Sequence, residues 1–162
     1  MIADLFLRGK KILFFTAYPM ARDDFMEQIK GKEGDVSYVT HSDELSTTSQ
    51  CIILQSGNEE LFLEAVQKLP DISERVILLK NFETFGEKVF DAVSGHDKII
   101  LSGNIDTSIV KEKVIQKKFQ TTIVFTAPQL SLGFAVPPLE KYTGYFHSTA
   151  KTGLIRLETT QK

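Results

Sequence analysis

Residues 11–30, KILFFTAYPMARDDFMEQIK, run from an almost unbroken apolar segment through a short loop into an amphipathic stretch. A strand exposed on one face would alternate, so the unbroken run at 10–17 reads as a strand covered on both faces. Beyond it, Phe25, Met26 and Ile29 share one face at helical spacing, and Gly31 is a natural stop. Asp23 and Asp24 are read as opening that helix and capping its first turn. Strand, loop and helix in this order make the frame in which a phosphate-binding loop sits.

The same alternation continues along the chain. Short runs rich in Ile, Val, Leu and Phe recur at 36–41, 51–56, 75–81, 98–104 and 121–127, most ending in small or polar residues. Between them, NEELFLEAVQKL carries a stripe of Leu61, Phe62, Ala65, Val66 and Leu69 with Asn58 as N-cap. GEKVFDAVSG and TSIVKEKVIQKKF read as further helices, with Asp106 as the cap of the connection after residue 104. Strand–helix alternation predicts a mostly parallel sheet with helices on both sides. YTGYFHSTAKTGLIRLE, at 142–158, predicts a C-terminal antiparallel hairpin at the sheet's edge, turning around Thr149–Lys151 and Gly153.

A length of 162 residues with no linker or repeat predicts one domain. The start reads as a cut just before a strand, so the chain is expected to be a fragment of a larger protein. A net charge of −2 offers no bulk attraction for nucleic acid or an anionic membrane. No apolar run approaches the roughly 20 residues of a membrane span, so the fragment itself is expected to be soluble. The lone Cys51 lies in an apolar run and fits a reducing compartment.

The first loop lacks the parts of a phosphate site. Such a loop needs glycines that let backbone N–H groups converge, a lysine for the β and γ charges, and a hydroxyl for Mg²⁺. Pro19 removes a donor, Tyr18 and Met20 are bulky where glycine is needed, and the acids repel an anion. The strand at 75–81 ends in Lys80 and Asn81 where a metal-holding acid is required. His41, His96 and His147 are far apart with no cysteine pair, which argues against a metal site. Ser102 has no identifiable base, and no nucleophile elbow occurs. No catalytic residue is assigned.

In order and length of parts, ADLFLRGKKILFFTAYPMARDDFMEQI followed by RVILLKNFETF and the terminal hairpin resembles the FtsK/SpoIIIE family of RecA-like ATPases. Within that family it resembles the degenerate last module of the membrane-anchored type VII secretion ATPases. The resemblance implies a three-layer RecA-like P-loop NTPase fold that opens with a polar-flanked strand. It lays Thr16, Ala17, Tyr18, Pro19 and Met20 over the glycine-rich part of Walker A, with Ala21 next. It sets Arg22 at the Walker lysine, Asp23 at the Mg²⁺-binding hydroxyl, and Lys80 and Asn81 at the Walker B acids. With these substitutions the nucleotide site is expected to be non-functional, and neither ATP nor Mg²⁺ is expected as a cofactor.

The resemblance further implies a cytoplasmic module of a cell-membrane-anchored protein. Its partners would be sibling modules of the same chain and secreted helical-hairpin substrates. Two alternatives stay open: an atypical ATP-binding module using Arg22, and an unrelated α/β domain binding a small molecule at the strands' carboxyl edge. The apolar stretch 129–138, with Leu130, Leu132, Phe134 and Val136 along it, is expected to pack under a sheet edge or else to form a peptide groove. Lys111, Lys113, Lys117 and Lys118 are read as a solvated helix face.

Overall fold

Ile12–Thr16 form β1, buried at every position. The computed structural model describes residues 2–117, 119, 121–125, 128, 132, 134–141, 143–148 and 151–156. Chain contacts divide it into two compact units, Met1–Val110 and Lys111–Lys162, and each is described by itself.

In the first unit β1 is the central strand of a five-stranded parallel sheet. Its other strands are β2 (Val36–Val39), β3 (Cys51–Leu54), β4 (Val76–Lys80) and β5 (Ile99–Ser102), in the order β2-β3-β1-β4-β5. β1 runs parallel to β3 and β4, β2 to β3, and β5 to β4. β3 is as fully buried as β1, which is why both read as unbroken apolar runs. The α/β class with a mostly parallel sheet, expected from the alternation, is what the chain adopts.

Successive side chains of a strand point to opposite faces, and the two adjacent phenylalanines of β1 show what covers each face. Phe14 stacks on Phe25 of α2 (Pro19–Gln28), with ring centroids 5.3 Å apart. Phe25 in turn meets Phe6 of α1 (Ile2–Leu7) edge-on at 6.1 Å. Phe15 stacks on Phe62 of α3 (Glu59–Lys68) at 5.0 Å and on Phe85 at 4.8 Å. α4 (Glu87–Val93) packs beside α3 and buries Val89, Phe90 and Val93. Asn58 caps α3 as its sequence predicts, accepting from the Leu61 N–H at 3.1 Å.

Three expectations are corrected. Residues 2–7 are helical, not an opening strand; Phe6 is buried against Phe25, so one aromatic contact outweighs a marginal local preference. α2 begins at Pro19, not at the acids, because proline at the first helical position is preset for the helix while holding Tyr18 extended. The turn at Ile105–Thr107 is capped by Asn104, which accepts from the Asp106 N–H at 3.0 Å, and not by Asp106.

The amino end of the sheet is held by a group the sequence reading passed over. Arg75 is fully buried, a rare state for arginine. Its Nε donates to Asp71 at 3.0 Å, and its terminal nitrogens donate to the carbonyls of Ile12, Gln50 and Ser49 at 2.9–3.2 Å. Lys11 adds a second cation to Asp71 at 3.0 Å. Burial alone would raise the Asp71 carboxyl, but the hydrogen bonds and charges of Arg75 and Lys11 hold it below its ordinary value.

Cys51, on β3, is wholly buried, and burial pushes its thiol up to about 12. Labelling of the native chain by a thiol-specific disulfide reagent at pH 8 is therefore expected to be negligible, and to reach one thiol per chain only in denaturant.

In the second unit α5 (Lys111–Gln116) precedes a three-stranded antiparallel sheet. Its strands are β6 (Thr121–Val124), β7 (Thr143–Ser148) and β8 (Thr152–Arg156), in that order. The expected hairpin is present as β7–β8. It pairs with β6 in a sheet of its own, so β6 is antiparallel instead of extending the parallel sheet. Gly153 lies within β8, and Thr149 falls outside the described residues. Phe134 stacks on His147 at 3.9 Å, which covers one face of β7; Leu132 and Val136 are half-buried, and Leu130 and Lys118 fall outside the described residues. Gly144 is buried because the Phe125 ring, opposite it across the strands, occupies the space a side chain would need.

Candidate functional site at the carboxyl edge of the parallel sheet

Open α/β sheets bind ligands outside the carboxyl ends of adjacent strands whose outgoing connections part in opposite directions. Here the chain leaves β1 toward β2 and leaves β4 toward β5 on the other side, so that crevice lies between Thr16 and Lys80, which are register partners. Thr16 to Asp23 run from the end of β1 into α2, and Lys80 and Asn81 lie at the end of β4.

Thr16 is fully buried at the end of β1. Its hydroxyl donates to Asn81 Oδ1 at 3.2 Å and accepts from the Tyr18 N–H at 3.3 Å. The structure thus joins the first expected motif position to the second directly, across the crevice a ligand would enter. Asn81 is the one described non-glycine residue with positive φ, at 60°, a conformation asparagine tolerates better than most residues. That twist turns the chain from β4 into the turn at Phe82–Thr84. Lys80 reaches Ser102, its neighbour on β5, at 3.5 Å.

Only Ala17 and Tyr18 separate β1 from α2. A phosphate loop wraps its ligand with several consecutive amides; two residues and a proline cannot. Ala21, the third residue of the helix, already donates to the Tyr18 carbonyl at 3.2 Å. The early helix start also overturns the electrostatic expectation at this loop. Asp23 and Asp24 lie in the body of α2, with no acid in its first turn, so they neither cap it nor point at a bound anion there. Charge at this helix start therefore comes from no acid of its first turn.

Arg22 does not turn toward the crevice as a lysine substitute. Its guanidinium lies over the Tyr38 ring of β2, 4.8 Å from the centroid, and pairs with Asp23 at 3.1 Å. Met20 is among the most exposed apolar residues of the unit.

No protein-family model matches the chain, nor does any curated protein or any solved structure.

The strand exits at this edge are tied to one another. Gly57, with φ of 74°, brings its N–H to the Thr16 carbonyl at 2.9 Å, linking the exits of β3 and β1. Glu59, in the first turn of α3, accepts from the Gly86 N–H at 3.0 Å. Glu83 accepts from the Asn104 N–H at 3.2 Å, linking the exits of β4 and β5. Its carboxylate, with the Phe82 ring, occupies the space a side chain on Gly103 would need, so a larger residue there would displace it. Both acids are spent on backbone amides, a use that has no local sequence signal. The Ser56 hydroxyl is buried with no partner among the described residues. Among the described residues no three of His, Cys, Asp and Glu gather to hold a metal, and no helix is long and apolar enough to cross a membrane.

Proposed function

We infer that the chain is a non-catalytic interaction module, and that its parent is a membrane-bound type VII secretion ATPase of the FtsK/SpoIIIE family. In that protein it serves contacts with sibling modules or recruitment of helical-hairpin substrates on the cytoplasmic side. The observation carrying the non-catalytic part is the Thr16–Asn81 hydrogen bond across the crevice, beside a two-residue exit from β1.

The family part rests on the order of parts along the sequence. Helices on both faces of a parallel sheet agree with its three layers. The strand order does not add support: β4 lies directly beside β1, whereas RecA-like sheets set a further strand between the strands of the two Walker motifs. That order favours the second reading, an unrelated α/β domain that binds a small molecule at the strands' carboxyl edge. The ATP-binding alternative through Arg22 draws no support from a guanidinium already shared between Tyr38 and Asp23.

Isothermal titration with Mg-ATP tests the non-catalytic reading. The expected result is no saturable binding tighter than about 100 μM, or roughly 5.5 kcal/mol. Tighter binding that Arg22→Ala abolishes would establish the nucleotide-binding alternative. A parallel titration with a secreted helical-hairpin protein tests the partner class, with saturable heat expected.

A further inference from the structure

β8 reads TGLIR, and the middle of that strand is oddly built. Gly153 weakens a strand interior, because it has the most backbone freedom to lose and no side chain to pack. Among the described residues nothing requires it. Its φ lies outside the left-handed region, and a side chain built there would meet no atom within 4 Å. On β7, by contrast, Gly144 is explained by the Phe125 ring against it. Beside Gly153, Leu154 is a large apolar residue left 66% exposed.

The ladder of the hairpin fixes which backbone groups of β8 are free. One step beyond the register pair His147 and Thr152, the Ser148 N–H donates to the Lys151 carbonyl at 3.0 Å, so these two form a hydrogen-bonded pair. Such pairs alternate along an antiparallel ladder. Gly153 and Ile155 therefore bond inward, to their register partners Phe146 and Gly144. Thr152, Leu154 and Arg156 turn their N–H and C=O groups outward. All three residues are exposed, and β8 is the last strand of its sheet. A row of outward donors and acceptors is a template for another strand.

We propose that β8 pairs antiparallel with β8 of a second copy of the chain, about a twofold axis through Leu154. Leu154 is the middle one of the three outward positions. Centring the axis there matches 152 with 156, 154 with 154 and 156 with 152, and leaves none unpaired. Each match exchanges two hydrogen bonds, about six in all. Arg156 then stands opposite Thr152 and never opposite another cation. The two Leu154 side chains meet on one face of the joined sheet. On the other face Ile155 of each copy stands across from Gly153 of its mate, in the open space that the glycine leaves. The bare glycine, the exposed leucine and the free edge thus share one explanation. A single strand pair falls below the roughly 1,200 Å² of a standard interface, so the dimer is weak, half-formed at about 100 μM. The inference depends neither on membership in the secretion family nor on the state of the nucleotide crevice.

Sedimentation velocity on the whole chain, up to about 1 mM, tests it, with a monomer–dimer equilibrium as the expected result. Leu154→Pro removes an outward N–H and leaves the ladder to β7 whole, a change that edge strands tolerate. It is expected to weaken association at least about tenfold. Leu154→Lys keeps every N–H but sets like charges opposite each other, and should weaken it as much. The control is Ile123→Pro on β6, the other edge of the sheet, where alternation likewise turns the Ile123 N–H outward. That substitution is expected to leave association within about twofold. Circular dichroism melts establish that each variant is folded. A chain still monomeric at about 1 mM, a dimer that both Leu154 substitutions leave intact, or one that Ile123→Pro abolishes would each overturn the proposal.

Discussion

Replacing Arg75 with Met is expected to destabilise the chain by about 3–5 kcal/mol, the range for removing one partner of a buried ion pair. The substitution leaves the buried Asp71 carboxylate with Lys11 alone, and strips a donor from the carbonyls of Ile12, Gln50 and Ser49. A domain of this size has only about 5–15 kcal/mol in hand, so a large share of the native state is at stake. Urea denaturation reads the loss as a fall in midpoint at unchanged slope. Arg75→Lys should recover little, because an ammonium cannot span the carboxylate and three carbonyls as the planar fork does. A midpoint within experimental error of the parent would show that the network contributes nothing net.

The same network sets an acid limb. Asp71 is held below its ordinary 3.8 in the folded chain, so its charged form is favoured by folding. Its contribution is whole above that value and falls away as pH drops through the lower folded value. Stability measured below pH 4 should therefore decline less steeply in Asp71→Asn than in the parent, from a lower starting point.

Phe15→Ala is expected to cost a further 3–5 kcal/mol or so, by deleting a wholly buried ring. Phe15 lies between the rings of Phe62 and Phe85, so its loss opens a void under α3 and breaks two stacked pairs together. Phe14→Leu on the opposite face, where one stacked ring is lost and most volume is kept, should cost less than about 1.5 kcal/mol. If the two substitutions proved equal, the stacking on the α3 side would carry no special weight. Chemical denaturation of both variants, with near-ultraviolet circular dichroism to follow ring packing, makes the comparison.

Much of this architecture could be read before any coordinates. Five parallel strands, the helices at 59–68 and 87–93 and the terminal hairpin follow from runs of Ile, Val, Leu and Phe broken at helical spacing. The cap at Asn58 follows from its chemistry alone. What misled was a competition between two local signals: Asp23 and Asp24 announce a helix start, Pro19 announces another, and proline's fixed φ prevails. Residues 2–7 misled for the opposite reason, since their helix depends on a distant contact with Phe25.

The side-chain pattern alone carries the α/β class, the burial of the central strands on both faces, and the absence of glycine from the first loop. Those properties depend on side-chain pattern and on backbone freedom, which neighbouring residues set. The strand order, the bond from Thr16 to Asn81 that spans 65 positions, the burial of Arg75 and the pairing of β6 with the hairpin come from the folded chain. Each is a meeting of groups far apart in the chain, and no local preference of either partner encodes where the other will stand.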